Sequence, residues 1–455
     1  MENAVKNLSD ALKIKTVSNR DAKKVDWKEF DRFLKFLDSN YKNVSSTCEK
    51  RIINKYSPVY IWRCKRGNKK KPVLLIGHYD VVPVEESTEG AWLKEPFSGE
   101  IDDNFIWGRG AIDDKNAVIG LMEALDSLIA AGVEPNERDI YFAFGFDEEV
   151  GGTMGAKEIA RAFELEKIEF EFVLDEGGCI VYDMLEGLGN PVALIGIAEK
   201  GSSNIRITCE SAGGHSSMPG RNTAIGKLSR IINNIEKNPM PDRLTITAEE
   251  MFKALAVNLP KQKRIFSNID KLFPVIKGKL SKISALNALI RTTIAFTQIE
   301  GGDAPNILPK RASAIANLRL LQGDTTDQAI EHIKRVNRGI DFKIEKLLVE
   351  EPSEISDMNE KSFNILKDVI ASEFRIGDIL PSHEYKNRSV GIVPYLMMGS
   401  TDSRKYYNVC HAIYRFYPLY LEKELYGTMH GVNERIPVER FLKMISFYKA
   451  LIKKI

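Results

Sequence analysis

Several stretches of this chain place histidine or carboxylate side chains directly after apolar runs that read as buried strands. The side chains concerned are His78 and Asp80, Glu148 and Glu149, Asp175, and, before the last helical stretch, His430. Ligands of open α/β folds bind outside the carboxyl ends of the strands, so these groups should gather at one edge of a sheet. Burying that many carboxylates together costs several kcal/mol for each ion unless cations compensate.

A further carboxylate pair, Asp113 and Asp114, lies in the glycine-rich loop 107–115. Two adjacent carboxylates repel each other unless a cation sits nearby. An apolar-periodic helix follows at 116–131, so these acids also fit the start of a helix, where they complement its dipole. Because the other histidines and carboxylates are expected at the same edge of the sheet, we favour Asp113 as a metal ligand.

Histidine and carboxylate, with no cysteine at the strand ends, suit zinc or a similar divalent ion. One bridging carboxylate with two further ligands per metal would hold two ions about 3.5–4 Å apart, as in co-catalytic hydrolases. The period of a strand puts His78 and Asp80 on one face, so Asp80 can orient the imidazole ring. Glu148 and Glu149 point apart, so one can bind metal while the other faces a nucleophilic water.

Composition narrows the class of protein. At 455 residues the chain predicts two domains, and 43% apolar with 28% charged residues is typical of a soluble globular protein. The net charge of +2 gives no reason to expect nucleic acid or an anionic membrane as a partner. No stretch is long and apolar enough to span a bilayer. Five scattered cysteines without a CxxC pair predict reduced thiols and a cytoplasmic location.

The order of elements predicts an α/β catalytic domain with a largely parallel sheet and an inserted α+β domain. Continuously apolar strands alternate with helices up to residue 199, and half-exposed alternating strands follow Lys200. We therefore assign residues 1–199 and 323–455 to the catalytic domain and 200–322 to the insertion. An additional helical segment at about 244–290 lies within the insertion.

Taken together, these motifs resemble the di-zinc aminoacylase/carboxypeptidase family of exopeptidases. The closest branch is that of carboxypeptidase S and the N-fatty-acyl-amino-acid synthase/hydrolase. The resemblance runs through nearly the whole chain. It rests on the stretches Gly77–Pro83, Trp107–Lys115, Asp147–Glu149, Asp175–Gly178, Glu199–Gly201, Gly213–Ser217, Arg291–Thr293, Thr401–Arg404, Ile413–Pro418 and His430–Glu434.

The resemblance implies a role for each strand-end residue. Asp113 would bridge two Zn²⁺ ions, or similar divalent ions such as Co²⁺ or Mn²⁺, and the peptide bond after it would be cis. His78 and Asp175 would complete one metal site, and Glu149 and His430 the other. Glu148 would be the general base, and Asp80 would orient the histidine.

The inserted domain resembles the lid of the family. His215 would donate to the oxyanion of the tetrahedral intermediate, and Arg319 is a candidate clamp for a substrate carboxylate. Asn306, Ser400 and Thr401 are further candidates for the same pocket. In relatives the lid histidine can come from a partner subunit, which implies a homodimer formed through the lid.

These features predict a metallohydrolase that cleaves an amide next to a free carboxylate, with Glu148 passing a proton from water to the leaving amine. A dipeptidase of small peptides is the alternative, because the sequence does not distinguish a peptide bond from an N-acyl amide bond. It also does not distinguish hydrolysis from the reverse condensation. A non-catalytic binding protein would have lost Glu148 or a ligand, and none is lost. The apolar residues of 244–290 either pack the lid against itself or form a wall for a long acyl group.

Overall fold

The computed structural model describes residues 2–184 and 187–455, and its larger unit is built on a nine-stranded mixed sheet. Every residue of the central strands Val73–His78 and Ile140–Gly145 is buried, as a sheet covered on both faces requires. In spatial order the strands are Glu49–Ile53, Ser57–Trp62, Ile140–Gly145, Val73–His78, Phe172–Asp175, Ile413–Arg415, Val192–Glu199 and Gly391–Met397, with Ile180–Val181 beside Val192–Glu199. The predicted fold class, α/β with a largely parallel sheet, is confirmed.

Helices cover both faces of this sheet, and we call the whole unit the body. Two of them, Lys115–Ala130 and Val438–Lys454, pack closely because Gly120 has no side chain: an added Cβ would lie 3.3 Å from the Met444 sulfur. The other α-helices of the body are Glu2–Leu12, Trp27–Asn40, Lys42–Thr47, Ala156–Leu165, Lys361–Glu373, Ile376–Ile379 and Lys423–Tyr426, with 3₁₀ turns at Ala22–Lys24, Glu86–Ala91, Glu148–Val150 and Asp402–Tyr406. None of the described helices has both the length and the hydropathy that crossing a bilayer demands.

Two short ribbons complete the strands. Phe105–Trp107 pairs with Arg435–Pro437, and this ribbon brings the loop that carries Asp113 beside the segment that carries His430. In the inserted domain, Gly214–His215 pairs with Ile307–Leu308.

The smaller unit, which we call the lid, is a four-stranded antiparallel sheet with its own apolar core. Its strands, in spatial order, are Thr293–Glu300, Arg311–Leu320, Gly201–Glu210 and Lys343–Glu350. The amphipathic helices Ala224–Lys237 and Thr326–Val336 bury their apolar faces in that core. Each helix begins at a threonine, Thr223 or Thr325, whose side chain accepts a hydrogen bond from the first turn.

The lid extends further along the chain than the sequence predicted. Residues 323–455 were assigned to the second part of the catalytic domain, but Lys343–Glu350 pairs with Gly201–Glu210 in the lid sheet. Helix Thr326–Val336 also contributes Ala329 and Ile333 to the lid core. The lid therefore continues to Glu350. The sequence pattern does not reveal the last strand of the lid, because this strand lies at the edge of the sheet and most of its residues are exposed. Its partner strand is also distant in sequence.

The additional segment at 244–290 belongs to the body in space, although it is inserted in the lid in sequence. It forms the helices Ile246–Ala256, Lys263–Phe266, Ile269–Leu280 and Ser284–Ile290. The first of these packs on the strand Gly391–Met397, and the buried residues of the segment, Phe252 among them, share the main core of the body. The buried side chains thus neither pack the lid against itself nor remain free to line an acyl pocket.

As a result, the described chain passes between body and lid four times. The crossings lie at Lys200, between Lys237 and Ile246, between Ile290 and Thr293, and after Glu350. Lys200 ties two of them together, because its Nζ donates to the carbonyl oxygens of Ala288 (2.7 Å) and Arg291 (2.8 Å). The joint is therefore broader than the two connections, near Lys200 and Gly323, that the sequence suggested.

We predict that Phe252→Ala destabilises the body by about 3–5 kcal/mol, because it removes a fully buried ring that packs 4.9 Å from the ring of Phe266. Val275→Ala is the matched control, since Val275 lies in the same segment but is 78% exposed. Chemical denaturation of both variants measures the difference. Equal and small losses of unfolding free energy would contradict the packing of this segment into the body core.

Candidate active site

Asp113 lies between two histidines that come from distant parts of the chain. Its Oδ1 is 3.0 Å from Nε2 of His78, and its Oδ2 is 3.0 Å from Nε2 of His430. The peptide bond between Asp113 and Asp114 is cis, as the resemblance implies. The structure thus gives each carboxylate oxygen of Asp113 a different imidazole partner, which is the arrangement that a ligand shared by two metal ions requires.

The backbone of the Asp113 loop is held by Glu434, which is completely buried. Its Oε1 accepts hydrogen bonds from the backbone N–H groups of Gly110 (3.1 Å), Ile112 (2.8 Å) and Asp113 (3.2 Å). Its Oε2 is 2.6 Å from the buried guanidinium of Arg109, which also donates to the carbonyl oxygen of Gly431. Because Gly431 follows His430, one carboxylate and one guanidinium fix the relative position of two predicted metal ligands.

Asp80 organises the opposite side of the cluster. Its Oδ1 lies 3.2 Å from Nδ1 of His78, which leaves Nε2 of the ring facing Asp113. The backbone N–H groups of Glu148 and Glu149 donate to its Oδ1 and Oδ2 at 3.1 and 3.2 Å. Asp80 therefore orients one histidine and also fixes the turn that presents both glutamates.

The two adjacent glutamates diverge, as the sequence predicted. Glu149 Oε2 lies 3.2 Å from Nε2 of His430, whereas Glu148 Oε2 lies 4.0 Å from Nε2 of His78. Glu148 makes no shorter ion pair among the described residues, and 16% of its side chain remains accessible. It is thus the glutamate that is left free to contact a water or a substrate.

Asp175 lies beside this cluster rather than in direct contact with His78. Its Oδ2 accepts a hydrogen bond from the backbone N–H of Ser403 at 2.9 Å. The carboxylate nearest to His78 on that side is Glu176, whose Oε1 is 3.4 Å from Nε2. The structure therefore brings His78, Asp113, Glu149 and His430 together as predicted, and it adds Glu176, which the sequence argument had passed over.

The protonation of these groups shows how much negative charge is concentrated here. Burial works against the charge of Asp113, but hydrogen bonds from His430 and His78 outweigh it and lower the pKa of that carboxyl. Burial raises the pKa of Glu148 well above its usual range. Burial and the nearby Asp113 raise the pKa of Glu176 to about 8. The carboxylates thus exceed the positive charge that the protein itself supplies.

The residues present fit divalent metal ions. Two sets of residues each bring three potential ligand atoms within 4.8 Å of one another. One set is His78, Asp113 and Glu149, and the other is His78, Glu148 and Glu176. Oε1 of Glu149 is buried without any hydrogen-bond partner among the described residues. This oxygen could therefore bind a metal ion without giving up another contact. Imidazole nitrogen and carboxylate oxygen are ligands that zinc and related ions accept.

The lid residues His215 and Asn306 lie together at one edge of the lid. The backbone N–H of Ser216 donates to the carbonyl oxygen of Asn306 at 3.1 Å, and both predicted residues line a cavity of about 670 Å³. His215 is exposed, and its Nδ1 lies 2.8 Å from Oγ of Ser217. Within the described residues, neither side chain makes a hydrogen bond or ion pair with the Asp113 cluster.

The other substrate-binding candidates fall into two groups. Arg319 is half-buried on the lid sheet, donates to Asn317 Oδ1 at 3.2 Å, and has no carboxylate within ion-pair distance in the described part of the chain. Burial and the nearby Arg404 lower its pKa. Thr401, in contrast, is buried, and its hydroxyl donates to Glu199 at 3.0 Å. Ser400 precedes it and is half-buried.

Sequence reasoning missed the residues that hold the ligands in place. Glu434 lies in the motif His430–Glu434, but its hydrogen-bond partners are more than 300 positions away in sequence, so no local pattern reveals them. Glu176 directly follows Asp175 at a strand end, and that adjacency was the available signal. Arg109 stood in the glycine-rich loop, where a buried cation beside two acids could have suggested a carboxylate partner.

Comparisons with known proteins agree with this geometry. Residues 74–454 match the family described as peptidase family M20/M25/M40. The probable carboxypeptidase S-like 2 of Dictyostelium discoideum is 38% identical over 98% of this chain and 84% of its own length. The human N-fatty-acyl-amino acid synthase/hydrolase PM20D1 is 32% identical over 98% of this chain and 86% of its own length.

A solved structure shares the fold of the whole chain. The M20 family metallo-carboxypeptidase Sso-CP2 from Sulfolobus solfataricus superposes with a TM-score of 0.70 at 18% identity, covering 100% of this chain and 99% of that one. The family resemblance inferred from the motifs is confirmed. With its acidic cluster at the strand ends and its match across nearly the full length, the chain belongs to peptidase family M20/M25/M40, a family of metal-dependent hydrolases.

Proposed function

We propose that this protein is a two-metal amidohydrolase that cleaves an amide bond next to a free carboxylate, either a C-terminal peptide bond or the bond of an N-acyl amino acid. The observation that carries the proposal is the position of Asp113 between His78 and His430, with one oxygen 3.0 Å from each imidazole. The relatives named carboxypeptidase S-like and N-fatty-acyl-amino acid synthase/hydrolase support the two substrate classes.

The metal ligands follow from the cluster and from the family motifs. His78, Asp113 and Asp175 would hold one ion, and Asp113, Glu149 and His430 the other. Glu176 is the alternative to Asp175 as a ligand of the first ion, since its Oε1 lies 3.4 Å from His78 Nε2. Zinc is our first choice, with cobalt or manganese as alternatives, because the donors are imidazole and carboxylate. When bound, such ions polarise the scissile carbonyl and lower the pKa of a water.

Glu148 would act as the general base. It takes a proton from the attacking water and delivers it to the nitrogen of the leaving amine, so that the C–N bond breaks as the amine becomes neutral. Two features support this role: among the described residues its carboxylate makes no ion pair shorter than the 4.0 Å contact with His78, and its backbone N–H donates to Asp80 at 3.1 Å. Asp80 serves as the orienting residue for both His78 and the turn that carries Glu148.

The lid would supply the substrate contacts. Arg319 is suited to a substrate carboxylate, because this residue is half-buried and makes no ion pair with a carboxylate among the described residues. His215 would stabilise the oxyanion, with Asn306 beside it and with Ser400 and Thr401 at the body side. Since His215 makes no contact with the metal cluster within its own described chain, the proposal includes either lid closure or a lid contributed by a second copy.

A dipeptidase of small peptides remains the second candidate. The sequence argument for a long acyl group rested on the apolar residues of 244–290, and those that are buried pack into the body. Support for N-acyl amino acids over dipeptides thus comes from the relatives named N-fatty-acyl-amino acid synthase/hydrolase. A hydrolysis screen of the zinc-loaded enzyme with N-acyl amino acids of increasing chain length and with dipeptides decides between the two. A rate that falls steadily beyond the acetyl group would favour the dipeptidase.

Asp113→Ala should lose more than one equivalent of bound metal, because each of its oxygens faces a different metal-binding histidine. Elemental analysis after gel filtration measures the metal content, with circular dichroism as the check on folding. Asp103→Ala, at an exposed position, is the control that should keep the wild-type content. A folded Asp113→Ala protein that still binds two ions tightly would disprove the shared ligand.

Glu148→Gln should keep both ions and the fold but lower kcat by about 10²- to 10⁴-fold, since glutamine cannot accept the proton from water. Glu89→Gln, an exposed substitution of the same kind, should leave kcat unchanged. Steady-state kinetics and metal analysis on the same preparations give both readouts. Retention of a tenth of the wild-type activity would rule out Glu148 as the base.

Arg319→Ala should raise KM about 10- to 100-fold for every substrate with a free carboxylate, whatever its acyl group, because it removes a charge-assisted contact worth about 1.5–3 kcal/mol. The methyl esters of the same substrates should be hydrolysed equally by both proteins. Arg206→Ala on the neighbouring lid strand is the matched control. An equal effect of Arg319→Ala on acids and esters would show that Arg319 does not bind the carboxylate.

A further inference from the structure

Glu199 occupies the point where the body becomes the lid. It is the last residue of the body strand Val192–Glu199, and the first strand of the lid begins at Gly201. Its side chain is fully buried. The sequence singled out the Glu199–Gly201 motif, yet none of the catalytic roles proposed above involves Glu199.

The carboxylate of Glu199 gathers the loop that follows strand Gly391–Met397. Its Oε1 accepts hydrogen bonds from Arg415 Nε (2.6 Å), Thr401 N (3.3 Å), Thr401 Oγ1 (3.0 Å) and Ser403 Oγ (3.3 Å). Its Oε2 is buried without a hydrogen-bond partner in the described chain, and Arg404 Nε stands 3.9 Å away. The position of the 401–403 loop is thus set by one carboxylate oxygen.

That loop in turn holds Asp175. The backbone N–H of Ser403 donates to Asp175 Oδ2 at 2.9 Å. Arg415, the cationic partner of Glu199, lies opposite Asp175 in the register of the parallel strands Ile413–Arg415 and Phe172–Asp175. A single residue therefore links Glu199 to Asp175 in each of two ways, Ser403 in one and Arg415 in the other.

The backbone of Glu199 also contacts the lid and the crossing after Glu350. Gln322 Nε2 donates to its carbonyl oxygen at 2.8 Å, as does the backbone N–H of Ser353 at 3.1 Å. The N–H of Glu199 donates to Ser353 Oγ at 2.7 Å. Gln322 lies between the lid strand Arg311–Leu320 and the lid helix Thr326–Val336, and Ser353 lies at the crossing after the lid strand Lys343–Glu350. Glu199 is therefore hydrogen-bonded both to the lid and to one of its crossings.

We propose that Glu199 is a positioning residue that fixes Asp175 for metal binding and couples this ligand to the lid joint. The inference rests on the proposed function, in which Asp175 is a metal ligand. Because coupling between two sites is reciprocal, a substrate analogue that closes the lid tightens the ion bound by Asp175, and that ion favours the closed lid. Among the described residues, neither Glu149 nor His430 makes a hydrogen bond with Glu199 or with the 401–403 loop.

Glu199→Asp tests the proposal, because it keeps the charge opposite Arg415 but withdraws the carboxylate by one methylene. Competition with a chelator measures the affinity of both zinc ions, with and without a carboxylate-bearing competitive inhibitor. We expect one ion to bind about 10- to 100-fold more weakly, the range found when partners of metal ligands are changed. The other ion should be unaffected, and the inhibitor should no longer tighten the weakened one.

Glu171→Asp is the matched control, since Glu171 pairs at 2.9 Å with the buried Arg138 elsewhere in the body. A lower Tm with both zinc affinities unchanged would assign Glu199 a purely structural role and overturn the inference. Ser403→Ala keeps the N–H that holds Asp175 and removes one donor to Glu199, so a smaller loss at the same ion supports the proposal if Glu199→Asp does not fold. Wild-type protein that binds fewer than two ions would overturn the proposed function, and this inference with it.

Discussion

The excess of buried carboxylates over cations at the carboxyl edge of the large sheet governs the structure of this protein. Two histidines face Asp113, Glu148, Glu149 and Glu176 within a few ångströms, and Oε1 of Glu149 has no partner in the described chain. Such a concentration of charge costs several kcal/mol per ion without cations. Divalent metal ions remove that cost, and the rest of the fold can be understood as the frame that keeps the acids together.

The frame relies on carboxylates that accept hydrogen bonds from the backbone. Glu434 binds three N–H groups of the loop that carries Asp113, and Asp80 binds the N–H groups of both glutamates at the next strand end. Backbone donors of this kind leave little freedom of rotation, so the ligands are held in place before a metal arrives. Glu199 repeats the device at the joint with the lid, where it holds the loop beside Asp175.

The sequence was sufficient to predict the main sheet of the body and the gathering of His78, Asp113, Glu149 and His430 at its edge. Continuous apolar runs with His78, Glu149 or Asp175 at their ends predict strands of a covered sheet, and the ends of parallel strands meet at one edge. Local patterns could not reveal whether Asp175 or Glu176 lies closer to His78, because the two acids are neighbours in sequence. They also could not place the segment 244–290, whose first helix packs on a strand more than 100 residues later.

A crystal structure of the zinc-loaded protein, with an anomalous difference map collected at the zinc edge, tests the shared-ligand arrangement most directly. We expect two peaks about 3.5–4 Å apart, one bound by His78 and the other by His430, with one oxygen of Asp113 on each ion. The same map decides between Asp175 and Glu176 as the remaining ligand of the first ion. A single peak, or two peaks of which only one contacts Asp113, would contradict the two-metal centre.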